Sequence, residues 1–340
     1  MPKAEDVPPD NVLPGDEVVI ELDDVAKTYV VRTKAGLLRR HRREVPAVAG
    51  VDLTVRRGEM IGYLGPNGAG KSTTIKMITG ILTPTSGRLA VLGLQPVEQR
   101  RELARRIGVV FGQRSQLWWD LPLVESFELL HHVYATDPER HRHNMDEFVD
   151  RLDLAAFMDT PVRQLSLGQR MRGELTAALL HDPELVVLDE PTIGLDVVSK
   201  HAVREFLADV NAERGTTVLL TTHDLDDVAE LCERMVVIDH GRLLIDTTVE
   251  DFTTTYGTTR RLVVELAADA EPIEVRDGLV VRVEGRRQWI EFDRRVTTAA
   301  KLVAEVGAAR ALKDLSIEEP GIEQLIRRLY EGGVADGPSD

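Results

Sequence analysis

The 340-residue sequence has almost no cysteine, few aromatic residues and no long apolar run. A single cysteine, Cys232, excludes an internal disulfide and favours a reducing compartment; its apolar neighbours Val228 and Leu231 predict a packed core thiol. No apolar stretch approaches the ~18 residues that a membrane-spanning helix needs, and no secretory signal opens the chain. We therefore expect a protein that works at a membrane only through a partner.

Basic residues are also fewer than acidic ones. Lys and Arg total 42 against 57 Asp and Glu, a formal balance of −15. This acidic balance disfavours nucleic acid as a partner. The length allows two domains, with residues 1–17 expected to be a disordered tail rich in proline and acids and residues 332–340 a loose tail.

Residues 65–72 have the sequence GPNGAGKS, which matches G-x-x-x-x-G-K-[ST], the Walker A phosphate loop. Its glycines let the backbone curl so that successive N–H groups point at a dense cluster of negative charge. Lys71 is expected to place its ammonium between the β- and γ-phosphates, and Ser72 to offer a hydroxyl to Mg²⁺. An incidental glycine turn is the alternative, and the flanking segments disfavour it.

Those flanks predict a strand and a helix. Residues 60–64 are apolar and predict a buried strand that enters the loop. After the loop, Ile75, Ile78 and Ile81 recur at helical spacing, and Gly80 with the following proline is expected to end the helix. The amino end of a helix suits an anion because it has a partial positive charge.

Residues 185–190 (LVVLDE) form an apolar run that ends in two acids, the Walker B pattern. Asp189 is expected to hold Mg²⁺ at the carboxyl end of the strand, where ligands of such sheets bind. Glu190 is expected to orient or deprotonate the attacking water. Solvated charges at a strand end are the alternative, which the preceding phosphate loop and the following Pro191 disfavour.

Residues 165–169 (LSLGQ) precede that strand and resemble LSGGQ, the signature of the ABC ATPase family. The resemblance extends over residues 18–250, with a Q-loop glutamine at Gln113, a D-loop at residues 194–196 and a switch histidine at His223. Six motifs in this order are hard to produce by chance. The sequence therefore resembles that of an ABC ATPase.

The resemblance implies an α/β fold: a P-loop NTPase ABC cassette with a mostly parallel core sheet, an antiparallel β subdomain and an inserted helical subdomain, plus a small α+β C-terminal domain. In the expected ABC domain, residues 18–253, short apolar runs alternate with helical patterns. The expected helical subdomain, residues 115–180, has few strand patterns. The expected C-terminal domain, residues 254–331, contains both strand and helix patterns. Strands are predicted at 18–22, 51–55, 107–111, 185–188, 217–221, 235–238, 262–266, 279–283 and 289–292. Helices are predicted at 124–135, 146–154, 298–306 and 322–330.

ATP and Mg²⁺ are the ligands that the resemblance implies. Gln113 corresponds to the glutamine that senses Mg²⁺ and water, and His223 to the residue that contacts the γ-phosphate. The implied catalytic residues are Glu190, His223, Gln113 and Lys71, and the implied metal ligands are Ser72, Gln113 and Asp189. The implied nucleotide-binding residues are Tyr29, Gly65, Pro66, Asn67, Gly68, Ala69, Gly70, Lys71, Ser72, Thr73, Ser166, Gly168, Gln169 and Asp196.

The family pattern also implies that a second copy of the chain completes each site. Ser166 and Gly168 would touch the γ-phosphate on the other subunit, using the amino end of the helix that follows, and Asp196 would link the two sites. With one cassette per chain, we expect a head-to-tail dimer that ATP closes and hydrolysis opens.

Two positions depart from the usual pattern. Leu167 replaces the first glycine of the signature, so a bulky side chain must fit near the nucleotide. Tyr29 resembles the aromatic residue that stacks on adenine, but the basic segment 34–46 lengthens its distance from the phosphate loop; a core tyrosine is the alternative. Segment 34–46 itself is predicted to be either a solvated loop or a contact for anionic lipid or an acidic partner.

Residues 112–120 (GQRSQLWWD) resemble those of drug- and viologen-exporter ATPases, which pair with separately encoded permeases. Adjacent side chains diverge in helices and strands, so Trp118 and Trp119 cannot easily face one core, and at least one is predicted to anchor the permease, against core packing as the alternative. The cytoplasmic face of the membrane is the expected location. The leading hypothesis is the ATP-hydrolysing subunit of a small-molecule exporter; an importer subunit, a soluble ABC ATPase acting on a macromolecule and a structural module without turnover are the alternatives.

Overall fold

The computed structural model describes residues 17–35, 39–112, 114–222, 225–269, 271–318 and 325–326. They group into two units, the first ending at Asp246 and the second beginning at Thr247. The boundary predicted between residues 253 and 254 instead falls inside a helix, Val249–Tyr256, of the second unit. Both predicted tails lie outside the described residues, apart from Glu17.

The elements follow one another in this order. The strands are β1 (Val18–Ala35), β2 (Arg39–Arg56), β3 (Met60–Leu64), β4 (Ser86–Val91), β5 (Ile107–Phe111), β6 (Leu185–Asp189), β7 (Thr217–Thr221), β8 (Arg234–Asp239), β9 (Arg242–Thr248), β10 (Thr259–Leu266), β11 (Leu279–Glu284), β12 (Arg287–Asp293) and β13 (Leu312–Glu318). The α-helices are α1 (Lys71–Ile78), α2 (Arg100–Leu103), α3 (Leu123–Tyr134), α4 (Pro138–Arg151), α5 (Leu167–Leu179), α6 (Val197–Arg214), α7 (Leu225–Leu231), α8 (Val249–Tyr256) and α9 (Ala299–Ala309).

Six strands of the first unit form one sheet in the order β5-β6-β7-β3-β8-β9. The pairs from β5 to β8 are parallel, and β3 and β7 are buried along their length, as expected of strands covered on both faces. Because β6, β7 and β3 are neighbours, their carboxyl ends at Asp189, Thr221 and Leu64 lie along one edge. The predicted parallel core sheet is confirmed.

A second sheet of the first unit is antiparallel, in the order β2-β1-β4. Its inner side chains, such as Ile20 and Val51, share one buried cluster with Ile75 and Met77 of α1 and Ile61 of β3. The antiparallel sheet is therefore packed over the helix that follows the phosphate loop.

β1 and β2 continue beyond this sheet as a two-stranded ribbon. β4 pairs with β1 only as far as Ala26, whereas the β1–β2 pairing continues from Thr28 and Pro46 to Ala35 and Arg39. The loop predicted at residues 34–46 is therefore wrong, because most of the segment is paired backbone. The alternation that marks a half-buried strand is missing here, since Val30 and Val31 are adjacent and both exposed.

The inserted helical subdomain contains α3, α4, two 3-10 turns (Ala155–Phe157 and Val162–Gln164) and α5, between β5 and β6. α4 begins at Pro138, earlier than the predicted residue 146. Asp137 caps it by accepting hydrogen bonds from the backbone N–H groups of Glu139 and Arg140, both at 3.0 Å. The first turns of α4 are polar, so hydrophobic periodicity could not locate its start.

The second unit is a four-stranded sheet in the order β11-β12-β10-β13, with α9 packed on one face through Leu302 and Val306. All of its described strand pairs are antiparallel. β13 was not among the predicted strands; its side chains are mostly exposed. Of the helix predicted at 322–330, the described residues Leu325 and Ile326 are helical and buried.

Cys232 is buried in the first unit, as predicted. Burial raises the pKa of its thiol to about 12, with Asp227 adding to the effect. A thiol with so high a pKa is protonated at neutral pH and unreactive.

Candidate nucleotide-binding site

The phosphate loop joins β3 to α1, and its glycines are required by close backbone approaches. Gly70 caps α1 at φ 113°, and a Cβ there would lie 2.5 Å from the Ala47 carbonyl oxygen. At Gly65 a Cβ would lie 2.3 Å from the Ile238 carbonyl oxygen. These contacts exclude a larger residue and fix the amino end of α1 where an anion can bind.

α1 is shorter than the isoleucine pattern predicts. It ends at Ile78, Gly80 has φ 68°, and Ile81 is exposed. A Cβ at Gly80 would lie 2.2 Å from the carbonyl oxygen of Pro96. The left-handed glycine therefore ends the helix one turn before the predicted third isoleucine.

Lys71 is buried, and its ammonium is held by the loop itself. Its Nζ donates to the carbonyl oxygens of Gly65 at 2.6 Å and Pro66 at 3.1 Å. Burial lowers the pKa of Lys71, and the carboxylates of Glu190 and Asp189 oppose that shift. The opposing effect shows that the Walker A lysine and the two Walker B acids share one electrostatic environment.

The Walker B acids stand at the end of β6, beside β7. Thr221 Oγ1 donates to Asp189 Oδ1 at 2.6 Å, and the backbone N–H of Glu190 donates to the Thr221 carbonyl oxygen at 2.8 Å. Glu190 has φ 55°, a left-handed conformation that costs a residue other than glycine about 1 kcal/mol or more. Pairing with β7 therefore holds Glu190 in an unusual backbone conformation.

Walker A and Walker B line the same cleft, whose volume is about 780 Å³. Its lining residues are Gly65, Pro66, Asn67, Ser72, Lys76, Ile81, Phe111, Gly112, Arg114, Asp189, Glu190 and Ile193. Lys76, Arg114 and Ile193 were not predicted as site residues. Lys76 lies one helical turn after Ser72, so its i,i+4 spacing from a predicted site residue could have identified it. Arg114 and Ile193 line the cleft because the fold brings them there, and no local sequence pattern indicates this.

A second cleft, of about 750 Å³, lies beside α4 and the end of α6. Its cations are paired with its own anions: Arg214 with Glu147 at 2.6 Å, Arg151 with Glu213 at 2.6 Å and Arg57 with Glu184 at 2.5 Å. It has no glycine-rich turn before a helix among its lining residues. The cleft with the phosphate loop is therefore the candidate for the nucleotide site.

The oxygen atoms of Ser72 and Asp189 suit Mg²⁺, which prefers oxygen ligands and completes its shell with water and phosphate oxygens. The described residues contain no group of three or more His, Cys, Asp or Glu side chains that could hold a metal by themselves. A magnesium ion would thus be held jointly by this pair and the phosphates. Gln113, the third predicted ligand, lies outside the described residues, although Gly112 and Arg114 line the cleft.

The signature lies at the amino end of α5, where Ser166 and Gln169 form a capping box. The backbone N–H of Gln169 donates to Ser166 Oγ at 3.2 Å, and the backbone N–H of Ser166 donates to Gln169 Oε1 at 2.9 Å. Gln169, predicted to bind nucleotide, thus has its side chain engaged in stabilising the helix start. Ser166, Gly168 and Gln169 are not among the lining residues of the described cleft.

The D-loop aspartate also begins a helix. Asp196 caps α6, accepting hydrogen bonds from the Ser199 backbone N–H at 2.9 Å and the Ser199 hydroxyl at 3.0 Å. These hydrogen bonds lower the pKa of Asp196. Asp196 is therefore anionic at neutral pH, and its link to a second site stays a prediction.

Leu167 projects toward the D-loop of its own chain. A Cβ at Gly194, which has φ 70°, would lie only 2.8 Å from Leu167 Cδ2. The extra bulk of the unusual signature residue is therefore accommodated where Gly194 has no side chain.

The remaining predicted residues divide into exposed and undescribed ones. Tyr29 is exposed in β1, opposite Val45, so the core alternative for it is wrong, while its role at adenine stays a prediction. Trp118 and Trp119 are both exposed, and Arg170 of α5 lies over the Trp119 ring at 5.7 Å. The core-packing alternative is therefore wrong, while anchoring of the permease stays a prediction. His223 lies outside the described residues.

Glu174 of α5 holds the segment after Gln113 by hydrogen bonds, and the sequence did not predict this role. Glu174 is buried; Ser115 Oγ donates to Glu174 Oε1, and the Gln116 backbone N–H donates to Glu174 Oε2 at 3.2 Å. Burial raises the pKa of Glu174, and the bond from Ser115 opposes the shift. A glutamate within a helix gives no sequence signal for such a role.

Comparison with known proteins identifies relatives of this arrangement. The model of the ABC transporter family matches residues 48–193. The daunorubicin resistance ATP-binding protein DrrA3 of Streptomyces coeruleorubidus is 35% identical over 280 residues, covering 80% of this chain and 85% of that protein. A fluoroquinolones export ATP-binding protein of Mycobacterium tuberculosis is 36% identical over 220 residues, covering 64% and 70%.

The fold has solved counterparts. The ATP-binding cassette MJ0796, in a dimeric post-hydrolysis state bound to ADP and Pi, superposes with a TM-score of 0.58 and 28% identity, covering 68% of this chain and 98% of that one. Among the described residues, no helix is both long enough and apolar enough to span a bilayer.

Proposed function

Because the chain belongs to the ABC transporter family, as an ATP-binding subunit that hydrolyses ATP, we propose that it drives export of a drug-like small molecule through a separately encoded permease. The observation that supports this most directly is the division of the motifs. Walker A and Walker B line one cleft, while the signature residues at the start of α5 are not among the residues that line it. A site divided in this way needs a second copy to bring a signature to its nucleotide.

In the proposed reaction backbone N–H groups of the phosphate loop bind the phosphates, with Lys71 supplying positive charge. Mg²⁺, held by Ser72 and Asp189 with Gln113, supplies electrostatic stabilisation of the phosphates. Glu190 orients the attacking water and accepts its proton, and His223 contacts the γ-phosphate. The fixed backbone of Glu190, bonded to Thr221, favours this role because it positions the carboxylate before reaction.

The proposed dimer is head-to-tail, with Ser166 and Gly168 of each copy on the γ-phosphate bound by the other. ATP closes the pair, and hydrolysis releases it because ADP lacks the phosphate that the signature contacts. The dimeric MJ0796 cassette bound to ADP and Pi supports this arrangement by analogy. The permease holds the dimer at the cytoplasmic face of the membrane and receives the motion, with Trp118 and Trp119 as its contact.

Export is favoured over import by relatives whose names state drug resistance or export. A permease encoded by a neighbouring reading frame with about six apolar spans can be co-expressed with the chain. ATP-dependent efflux from energised vesicles supports the exporter; ATP-dependent uptake into cells supports the importer alternative. A chain that hydrolyses ATP but binds no co-expressed permease supports the soluble alternative.

Glu190→Gln tests the chemistry. The variant should bind ATP, lose at least ~100-fold in turnover and dimerise with ATP and Mg²⁺ in sedimentation velocity. Lys71→Ala should instead lose ATP binding or turnover. Glu98→Gln, which removes an exposed carboxylate, is the matched control and should behave as wild type. Near-normal turnover in Glu190→Gln removes Glu190 from catalysis.

A further inference from the structure

The cleft with the phosphate loop contains an arginine, Arg114, that none of the recognised motifs includes. It lines the cleft together with Ser72, Asp189 and Glu190, and its side chain is exposed. Among the contacts of the described residues, no carboxylate pairs with its guanidinium. The second cleft differs, because its cations pair with its own anions. The guanidinium of Arg114 is therefore available to an anionic ligand in the cleft.

The fold brings the segment that carries Arg114 to the Walker B acids. β5 and β6 are parallel neighbours, and Phe111 is paired with Asp189 at their carboxyl ends. At the next residue, Gly112, a Cβ would lie only 2.8 Å from the carbonyl oxygen of Asp189. The chain that leaves β5 therefore passes directly against the end of β6, where the proposed magnesium ligand and Glu190 lie.

Hydrogen bonds fix the backbone on both sides of the Arg114 side chain. The backbone N–H of Arg114 donates to the Phe111 carbonyl oxygen at 3.1 Å. The hydroxyl of the next residue, Ser115, donates to the buried carboxylate of Glu174. The Gln116 backbone N–H donates to the other oxygen of that carboxylate at 3.2 Å. Only the side chain of Arg114 must be ordered when a ligand binds, which lowers the entropic cost of the contact.

We propose that Arg114 is a further catalytic residue, whose guanidinium donates hydrogen bonds to γ-phosphate oxygens and stabilises the charge of the transition state. This rests on the proposed function, in which the same cleft binds ATP and Glu190 accepts the proton of the attacking water. As the water oxygen bonds to the γ-phosphorus, the bond to the bridging oxygen breaks and ADP leaves with the electron pair. A guanidinium suits this task because its planar donors match phosphate oxygens in pairs, and a positioned positive charge stabilises the phosphoryl group in transfer.

Arg114→Gln tests the proposal through two quantities, kcat for ATP hydrolysis and the dissociation constant of ATP. The variant should lose ~100-fold in kcat. Its dissociation constant for ATP should change by less than about fivefold, because the phosphate loop and Lys71 remain to bind the ground state. Arg114→Lys should recover only part of kcat, since an ammonium keeps the charge but lacks the paired donors.

Arg105→Gln is the matched control for these measurements. It removes an exposed arginine that is not among the residues lining the cleft. Its kcat and its ATP affinity should both stay within about twofold of the wild type.

Added guanidinium ion gives a readout that a merely structural role would not give. Arg114→Ala truncates an exposed side chain, so its thermal unfolding should match that of the wild type. Guanidinium chloride at ~10 mM is far below the molar concentrations that denature proteins. It should raise the kcat of Arg114→Ala by at least ~fivefold by restoring the missing donors, whereas sodium chloride at the same concentration should not. The kcat of Lys71→Ala should not respond to either salt.

The outcomes separate this inference from the proposed function. If Glu190→Gln keeps near-normal turnover, the proposed chemistry of the cleft is wrong and the role of Arg114 fails with it. If Glu190→Gln loses turnover while Arg114→Gln keeps its kcat within about threefold of the wild type, only the role of Arg114 is overturned. Equal losses of kcat and of ATP affinity in Arg114→Gln, or a loss in Arg114→Ala that guanidinium leaves unchanged, also overturn it.

Discussion

Arg204 Nε donates to Asp227 Oδ1 at 2.8 Å, which places an arginine of α6 against a fully buried carboxylate of α7. The other oxygen of Asp227 accepts hydrogen bonds from Thr192 Oγ1 and, at 3.4 Å, from Thr222 Oγ1. Thr192 follows Glu190 by two residues, and Thr222 directly precedes His223. Asp227 therefore joins the two loops that present the proposed catalytic residues.

Asp227→Asn should lower kcat by at least ~10-fold while changing ATP affinity by less than about threefold. The amide cannot accept all three bonds as the carboxylate does, so the Glu190 and His223 loops lose their common support. Steady-state kinetics and equilibrium nucleotide binding provide the two measurements. The phosphate loop, which Asp227 does not touch in the described contacts, should still bind nucleotide.

Glu230→Gln is the matched control for that experiment. Glu230 also pairs with Arg204, at 2.5 Å, but its side chain is 53% exposed and it has no described bond to either threonine. It should therefore retain kcat within about twofold. Equal losses in the two variants would assign the effect to Arg204 pairing in general and contradict the positioning role of Asp227.

Trp118→Ala and Trp119→Ala should each lower transport strongly while the isolated protein keeps its ATPase activity within about twofold. Exposed tryptophans are frequent anchors of protein interfaces, and truncating them on the surface should cost the fold little. Leu129→Ala, at an exposed apolar site on α3, is the control. Efflux measured with the permease present decides the matter; full transport by both tryptophan variants refutes the interface.

The pH dependence of stability should include a contribution from His181. Burial lowers the pKa of His181 to about 4 from its ordinary 6.5, while its Nε2 lies 3.0 Å from the Ile107 carbonyl oxygen and its ring stacks on Tyr134. Between these values the unfolded chain binds the proton that the folded chain excludes. The free energy of unfolding should thus fall by about 3 kcal/mol as the pH drops from 6.5 to 4.

His181→Gln should flatten that part of the curve, because glutamine can donate to the same carbonyl and does not titrate. Denaturant unfolding at several pH values provides the measurement. His143→Gln is the control, since this histidine is exposed and should leave the slope unchanged. If the free energy of unfolding of His181→Gln fell with pH as steeply as that of the wild type, the exclusion of a proton by His181 would not be the cause of that dependence.

Replacing Arg39, Arg40, Arg42 and Arg43 with glutamine tests the lipid hypothesis for the ribbon. Basic residues near an anionic bilayer contribute about 1 kcal/mol each, so co-sedimentation with vesicles rich in anionic lipid should fall sharply. Arg100→Gln with Arg101→Gln and Arg105→Gln removes exposed charges from another surface and is the comparison. Unchanged membrane association and transport in the ribbon variant would discard the hypothesis.

Local sequence patterns predicted the phosphate loop and the Walker B strand better than they predicted the exposed strands. The phosphate loop and the strand before Asp189 were recoverable because their residues are contiguous and their apolar runs are buried on both sides. The ribbon and β13 were missed, since the side chains of β13 and those described in the ribbon are mostly exposed, and long-range backbone pairing defines both.

Site residues that depend on distant partners were also missed. Asp227 is acidic and lies in the first turn of a helix, which by itself indicates a solvent-exposed carboxylate that interacts favourably with the helix dipole. Its burial follows only from Arg204, Thr192 and Thr222 meeting there. Glu174 is a similar case, since its partners at Ser115 and Gln116 are remote in sequence.

The root of the ribbon lies directly against the phosphate loop. Ala47, one residue after the last ribbon position of β2, holds its carbonyl oxygen 2.5 Å from where Gly70 would bear a Cβ. The Ala49 backbone N–H donates to the Gly241 carbonyl oxygen, and the Gly241 backbone N–H donates to the Ala69 carbonyl oxygen. A ligand that displaced the ribbon would therefore act on backbone that contacts the amino end of α1, where the phosphates are proposed to bind. If a ligand on the ribbon changed the affinity for nucleotide, nucleotide would change the affinity for that ligand by the same factor.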